Sequence, residues 1–524
     1  MRPRLPSGNG SPNTAPQRQP ARHALDGYLG ALSAFAVDQI IAFHRLAGYY
    51  SGVLLRRRGM WLGAAALCVA GAVTAAALLT GGSSAGGESR RNQRWRHDIA
   101  YLARRLPQVH VNGVVTGVSG RVWFAAAARL EGRVPRLTDG QVILGVMRLV
   151  ALLHDDETVV NDADGRPFYL QGPRFPLGLQ WIGSHLYVIA VAAGHRALLG
   201  SQLVAVSGLP VSRVLELLRP EIDYNNPGVL AFWETQGLTS ADLLAWLGVT
   251  HSPHAATYTL RATTGKQVKV RLIASRALNV PGPVVTRRAT YAGHVLRVTY
   301  DSLDGLILTA NGSATLAHVP LPMYQTNLAT PYWMKVLAAQ RAVYLRYNHC
   351  IMTDGFQRLA KRALTLLHRH PAFRLIIDLR DNPGGDTSPF QPLLRGIRAD
   401  PAINRPGRII GLVNQLSASS ATYDAYELTS QTQAVLIGQP PEDPVDNYGN
   451  SDYRFRLRGS GIVITYSTKA FDPQKIKMGV PDIYVAPTIR QVLAGQDPVL
   501  RTAFEFRREG PNHERVTPGA PRSR

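Results

Sequence analysis

Arg374-Leu375-Ile376-Ile377-Asp378-Leu379-Arg380-Asp381-Asn382-Pro383-Gly384-Gly385 decides how the rest of the chain is read. An apolar run ends in charged residues and then in Asn-Pro-Gly-Gly. That pattern predicts a buried strand running into a tight turn. Adjacent glycines leave bare backbone N–H groups, which can face an anion or a developing oxyanion. A second pattern of the same kind follows. Ile409-Ile410-Gly411-Leu412-Val413-Asn414 reads as a strand, and Gln415-Leu416-Ser417-Ala418-Ser419-Ser420-Ala421 as a turn of small residues. Thr422 to Leu428 then has helical spacing. Serines at a strand-to-helix turn are where a nucleophile is displayed, although serine also favours helix N-caps for purely structural reasons.

Outward from these turns the pattern alternates. Strands are predicted at Ala342 to Tyr347, Leu375 to Leu379, Ile409 to Val413 and Ala434 to Ile437. Helices are predicted at Phe356 to His368, near Phe390 to Ile397, and at Ala421 to Leu428. Such alternation predicts an α/β core with a mainly parallel sheet. Residues 168 to 275 alternate strands and turns, including Leu186 to Val191 and Gly200 to Val211. Residues 92 to 160 read as mostly helical, with Leu137-Thr138-Asp139-Gly140 as the cap of a helix that carries Val142, Ile143, Val146, Met147 and Val150. Residues 276 to 325 read as irregular, with Pro281-Gly282-Pro283 as a boundary.

The two glycine and serine turns resemble those of the carboxyl-terminal processing (tail-specific) serine peptidases and their tricorn-core relatives. The resemblance extends to Leu436-Ile437-Gly438-Gln439-Pro440, Tyr448-Gly449, Ser460-Gly461, Tyr466 to Phe471, Pro481 to Val485 and Asp497-Pro498-Val499-Leu500. It covers roughly residues 93 to 505. It implies a crotonase-like core of the ClpP and tail-specific-protease type at 290–510. It also implies an N-terminal helical region at 88–165 and a PDZ-like β domain at 168–275. Laid on this sequence, the family's nucleophile falls on Ser419. Its oxyanion donors fall on the amides of Gly384, Gly385 and Ser420. PDZ-like inserts bind extended peptides by adding a strand to a sheet edge, so the implied partner is a peptide or protein.

The departures concern the general base. The processing peptidases activate serine with a downstream lysine; near that position this chain has Pro444, within Pro441-Glu442-Asp443-Pro444. The tricorn-like branch uses a histidine, which Glu157 replaces in His154-Asp155-Asp156-Glu157-Thr158. A serine hydroxyl without a base is a weak nucleophile. Candidate substitutes are His154, Glu157 if burial raises its pKa, and Lys469; His349, at the end of a predicted core strand, is a further one. Two functions therefore stand side by side. One is a serine peptidase, or an esterase that asks less of its base. The other is an inactive relative that binds peptides or a partner protein. The consecutive acidic residues after His154 do not converge on one ion, and no metal or cofactor is expected.

Composition bounds the rest. The chain has 524 residues, 45% of them hydrophobic, and a formal net charge of +23. Its positive charge is mostly arginine, dispersed among Ala, Gly, Val and Leu, without an aromatic-interleaved basic stretch; nucleic-acid binding is not expected. Cys68 and Cys350 are the two cysteines, and they are not expected to pair. Residues 1–59 read as a basic cytoplasmic N-terminal region, disordered over its first part, where Pro, Gly, Asn and Gln abound. The uncharged stretch 60–80 follows Arg56-Arg57-Arg58 and suits one transmembrane helix with its N-terminal end in the cytoplasm. The alternative reading is a signal segment, cleaved near Ser83-Ser84-Ala85, that leaves a secreted protein.

Overall fold

The computed structural model describes residues 88–111, 119–170, 172–224, 227–275, 285–291, 294–300, 316–327, 330–351, 353–441, 448–449, 453–470 and 481–507. Met1–Gly87 and Glu88–Arg524 separate into two units, and all described residues belong to the second. The apolar stretch 60–80, Pro281 to Pro283 and the Glu442 to Asp446 turn lie outside the described residues. Among those described, no helix is long and apolar enough to cross a membrane.

The chain enters through α1 (Arg90–Val109), α2 (Gly120–Arg133) and α3 (Asp139–Val150). Ser89, Ser119 and Thr138 cap their first turns, and Thr138 forms a reciprocal capping box with Gln141. The helices bury Ile99, Leu102, Leu106, Trp123, Val142 and Val146 against one another. The short strand β1 (Val160–Asn161) follows.

A β-rich unit comes next. It contains β2 (Leu177–Ile182), β3 (His185–Ala192), β4 (Gln202–Val206), β5 (Leu209–Pro210), α4 (Val211–Leu218), α5 (Pro227–Gly237), α6 (Ala241–Trp246), β6 (Ala255–Arg261) and β7 (Gln267–Ile273). Two of these helices, α5 and α6, interrupt what the sequence reads as strands and turns. A proline opens α5, and the Ser240 side chain accepts from the Leu243 amide to cap α6. The hairpin β8 (Val285–Tyr291) and β9 (His294–Tyr300) replaces part of the expected irregular stretch. Then β10 (Leu316–His318) joins the β3 edge, completing the order β10-β3-β4-β6-β7 with β2 also on β3.

The core sheet is built from β11 (Tyr332–Leu337), β12 (Ala342–Tyr347), β13 (Arg374–Asp378), β14 (Ile409–Val413), β15 (Val435–Gly438) and β20 (Ile483–Tyr484), in that spatial order. Every pairing is parallel except that of the edge strand β11. Helices α7 (Asp354–Arg369), α8 (Gln391–Ala399) and α9 (Ser420–Gln431) cover one face, meeting Val343, Leu345, Leu375 and Ile377. The other face, with Tyr344, Ile376, Ile410 and Leu412, meets Val499 and Leu500. Burial on both faces is why these strands read as unbroken apolar runs rather than as alternation.

The four short strands before β20 leave the core sheet. They are β16 (Tyr448–Gly449), β17 (Tyr453–Arg456), β18 (Val463–Tyr466) and β19 (Lys469–Ala470). β18 pairs with β1, so Ile464 and Tyr466 pack among the N-terminal helices. The chain closes with α10 (Ile489–Leu493) and α11 (Pro498–Glu505), the latter capped by Asp497.

Candidate active site

The carboxyl ends of β12, β13 and β14 meet at one place, where open α/β sheets hold their ligands. Hydrogen bonds stitch the three ends together. Ser417 Oγ donates to the Leu379 carbonyl at 3.0 Å, and the Ala418 amide donates to the Asn382 carbonyl at 2.9 Å. The Cys350 amide donates to the Gly384 carbonyl at 2.9 Å, and the Asp386 amide to the Cys350 carbonyl at 2.8 Å. Ser420 Oγ donates to the Gly385 carbonyl at 2.7 Å.

Each serine of the turn has a different place. Ser417 is fully buried and also accepts from the Asn414 amide. Ser420 is tied to Gly385. Ser419 is partly exposed between buried neighbours and stands at the N-cap position of α9. Its backbone is at φ 50°, ψ −121°, and its side chain does not cap the helix. Ordinary N-cap residues are extended and accept a helix amide. A non-glycine residue in this region costs about 1–3 kcal/mol and needs its surroundings to hold it there.

Gly384 has φ +93° and lies against this turn. A Cβ on it would stand 2.7 Å from Ser419 Cβ, 2.8 Å from the Ser420 nitrogen and 2.9 Å from the Ala418 carbonyl oxygen. Two of those atoms are backbone, so no larger residue fits. The Gly384 amide itself donates to Asn382 Oδ1 at 2.9 Å, which removes it from the expected oxyanion set. Among the described residues, the amides of Gly385 and Ser420 have no acceptor. Asn382 is fully buried, and its Nδ2 donates to the Tyr347 carbonyl at 2.8 Å; one side chain thus fixes the Gly-Gly turn to β12.

Beneath the turn lies a buried polar layer. Cys350 Sγ sits 3.5 Å from Asp424 Oδ2 and 3.5 Å from Asn382 Nδ2. Burial raises the pKa of Asp424 well above the carboxylate range, and it likewise raises those of Cys350 and Tyr347. Among the described residues, no group of three or more His, Cys, Asp or Glu side chains is arranged to hold a metal ion.

The base candidates fall into two places. His154 is exposed, at φ 52°, edge-on to Tyr224. The Glu157 amide donates to Asp155 Oδ1 at 3.1 Å. Asp155 is buried, takes His110 Nε2 at 2.8 Å, and accepts from Ser467 Oγ at 3.2 Å. Lys469, two residues on, is exposed on β19 opposite Gly449. His154 and Glu157 precede β1, and Lys469 follows β18, the strand that pairs with β1.

His349 belongs to the serine turn's own neighbourhood. It follows β12, and its Cε1 lies 3.3 Å from where a Cβ on Gly385 would stand. Burial pushes its imidazole down to about 4, so the ring is neutral at pH 7. Its sequence signal was the one available: a histidine immediately after a buried strand that neighbours the Gly-Gly strand.

No protein-family model matches this chain, and no curated protein matches it. Solved structures do resemble it at low identity. Mature CPAF is similar over 80% of this chain and 97% of its own, with 13% identity and a TM-score of 0.49. The photosystem II D1 C-terminal processing protease is similar over 79% of this chain and 99% of its own, with 14% identity and a TM-score of 0.35. The tricorn protease is similar over 79% of this chain and 36% of its own, with 13% identity and a TM-score of 0.31.

Proposed function

We propose that this chain is a serine hydrolase of the tail-specific and tricorn type, acting on a peptide or protein. Ser419 Oγ attacks the carbonyl carbon, and the amides of Gly385 and Ser420 receive the oxyanion. The observation that carries this reading is the backbone of Ser419, held at φ 50° against a glycine that has no room for a side chain. A strained strand-to-helix turn lifts the hydroxyl clear of the helix amides it would otherwise cap. Residues 168–275 serve as the PDZ-like part, and the stretch 60–80 anchors the chain in a membrane with residues 88–524 outside. The anchor rests on its apolar length and on the arginines at 56–58.

The second reading is a peptide-binding relative without turnover. It is favoured by Glu157 and Pro444 at the positions of the two inherited bases. A fluorophosphonate probe separates the two. On the first reading the full-length chain labels and Ser419→Ala abolishes labelling. A folded chain that takes no label is the peptide-binding relative.

A further inference from the structure

We propose that the imidazole of His349 is the general base that accepts the proton of Ser419 Oγ. The inference rests on the serine reading above and names the residue that reading lacks.

Three observations converge on it. The Cys350–Gly385 bridge fixes the segment after β12 alongside the Gly-Gly turn, so the position of His349 is set by backbone hydrogen bonds. The Cε1 atom of His349 then comes within 3.3 Å of the Cβ position of Gly385, beside the Cys350 carbonyl that closes on the same position, while Ser419 Cβ stands 2.7 Å from the Cβ position of the adjoining Gly384; the ring and the serine thus flank the same Gly-Gly turn. Burial keeps the imidazole in the form that can accept a proton.

The proton balance is simple. As the Oγ–C bond forms, the hydroxyl proton passes to a ring nitrogen of His349 and the carbonyl π pair moves onto oxygen. On collapse, the bond to the leaving group breaks and that group takes the proton from the imidazolium. Water then repeats the sequence on the acyl-serine, returning the proton to Ser419 Oγ. A base with a pKa near 4 assists attack weakly, and its conjugate acid protonates a departing amine strongly. Esters, which ask less of the base, are therefore expected to react faster than amides.

The test is the rate of fluorophosphonate labelling of the full-length chain between pH 5.5 and 8. Wild type is expected to label at a nearly constant rate across this range, because an imidazole titrating near 4 stays neutral throughout. His349→Ala and His349→Gln should label roughly 100-fold more slowly, the low end of a general base's contribution, with added imidazole restoring part of the rate to His349→Ala. Circular dichroism of both variants checks that they fold. Wild-type labelling by a folded His349 variant overturns the proposal and leaves the serine reading intact. If wild type itself takes no label, the serine reading fails first, and this one with it.

Discussion

Ser419 shows how little of a site a composition of serines conveys. Ser417, Ser419 and Ser420 are the same residue type within four positions, and only the backbone distinguishes them. The sequence pointed to Ser419 through a family resemblance, not through any property of the residue; its left-handed φ is invisible in the text. That φ carries a prediction. Ser419→Gly removes both the hydroxyl and the steric cost of φ 50°, so it should lose labelling while gaining about 1 kcal/mol of stability. Ser419→Ala should lose labelling without that gain. Urea denaturation of the two variants checks this, and equal midpoints would show that the turn is unstrained. The proposed base was less legible than the proposed nucleophile. Proximity of His349 to Gly385 arises from the parallel pairing of β12 with β13, strands whose ends lie about thirty residues apart, which no spacing in the sequence expresses.

The core strands and helices were legible because their burial pattern is simple. β12 and β14 run over the residues their apolar runs predict, and the neighbouring elements differ only at their ends. The edge strand β11 was not legible, since Tyr332–Leu337 is only half covered and carries Lys335 in its middle. Helix α5 was missed because it buries Glu234, Thr235 and Gln236 beside Val229 and Phe232 rather than one apolar stripe, and α6, at six residues, is too short to show a period. What binds the core elements at their ends is a buried charge network. Arg380 pairs with Asp378 at 2.5 Å and with Asp497 at 2.8 Å, and Arg346 lies 3.7 Å from Asp378. Tyr344 donates to Asp378 at 2.7 Å, and Arg380 stacks on Tyr324 at 3.8 Å. Burial opposes ionisation of Asp378, but the charge and hydrogen bonds of Arg380, the charge of Arg346 and the Tyr344 hydroxyl hold its pKa below the usual range. Its contribution is thus present above the unfolded pKa, about 3.9, and is lost as pH falls through the lower folded value. Asp378→Asn should cost about 3 kcal/mol at pH 7, because buried Arg346 and Arg380 lose the Asp378 charge and Arg380 keeps only Asp497. The gap from wild type should narrow below about pH 4. Denaturant titrations at pH 7 and pH 3 measure it, and a gap that does not change with pH would contradict the assignment of charge.

Across the whole molecule, the hardest feature to read was the return of the C-terminal half to the N-terminal helices. The sequence divides naturally into a helical region, a β unit and a core, but β17 and β18 belong to the first of these in space. Asp98, fully buried on α1, accepts from the Gly459 amide at 2.8 Å and the Ser460 amide at 2.6 Å. Both bonds end on a charged acceptor, so Asp98→Ala should destabilise the chain by about 3 kcal/mol. Loss of less than about 0.5 kcal/mol in chemical denaturation would show that the tie is dispensable.

The pairing of Val160 with Ile464 also sets a clock. A ribosome working at about 5–20 residues per second needs roughly 15–60 s to travel from the first partner to the second. Through that interval the apolar faces of Trp123, Val142 and Val146 wait without the strand that finishes covering them. The newborn chain thus spends most of its synthesis with an open seam near its beginning, and its last hundred residues act as the stitch that closes it.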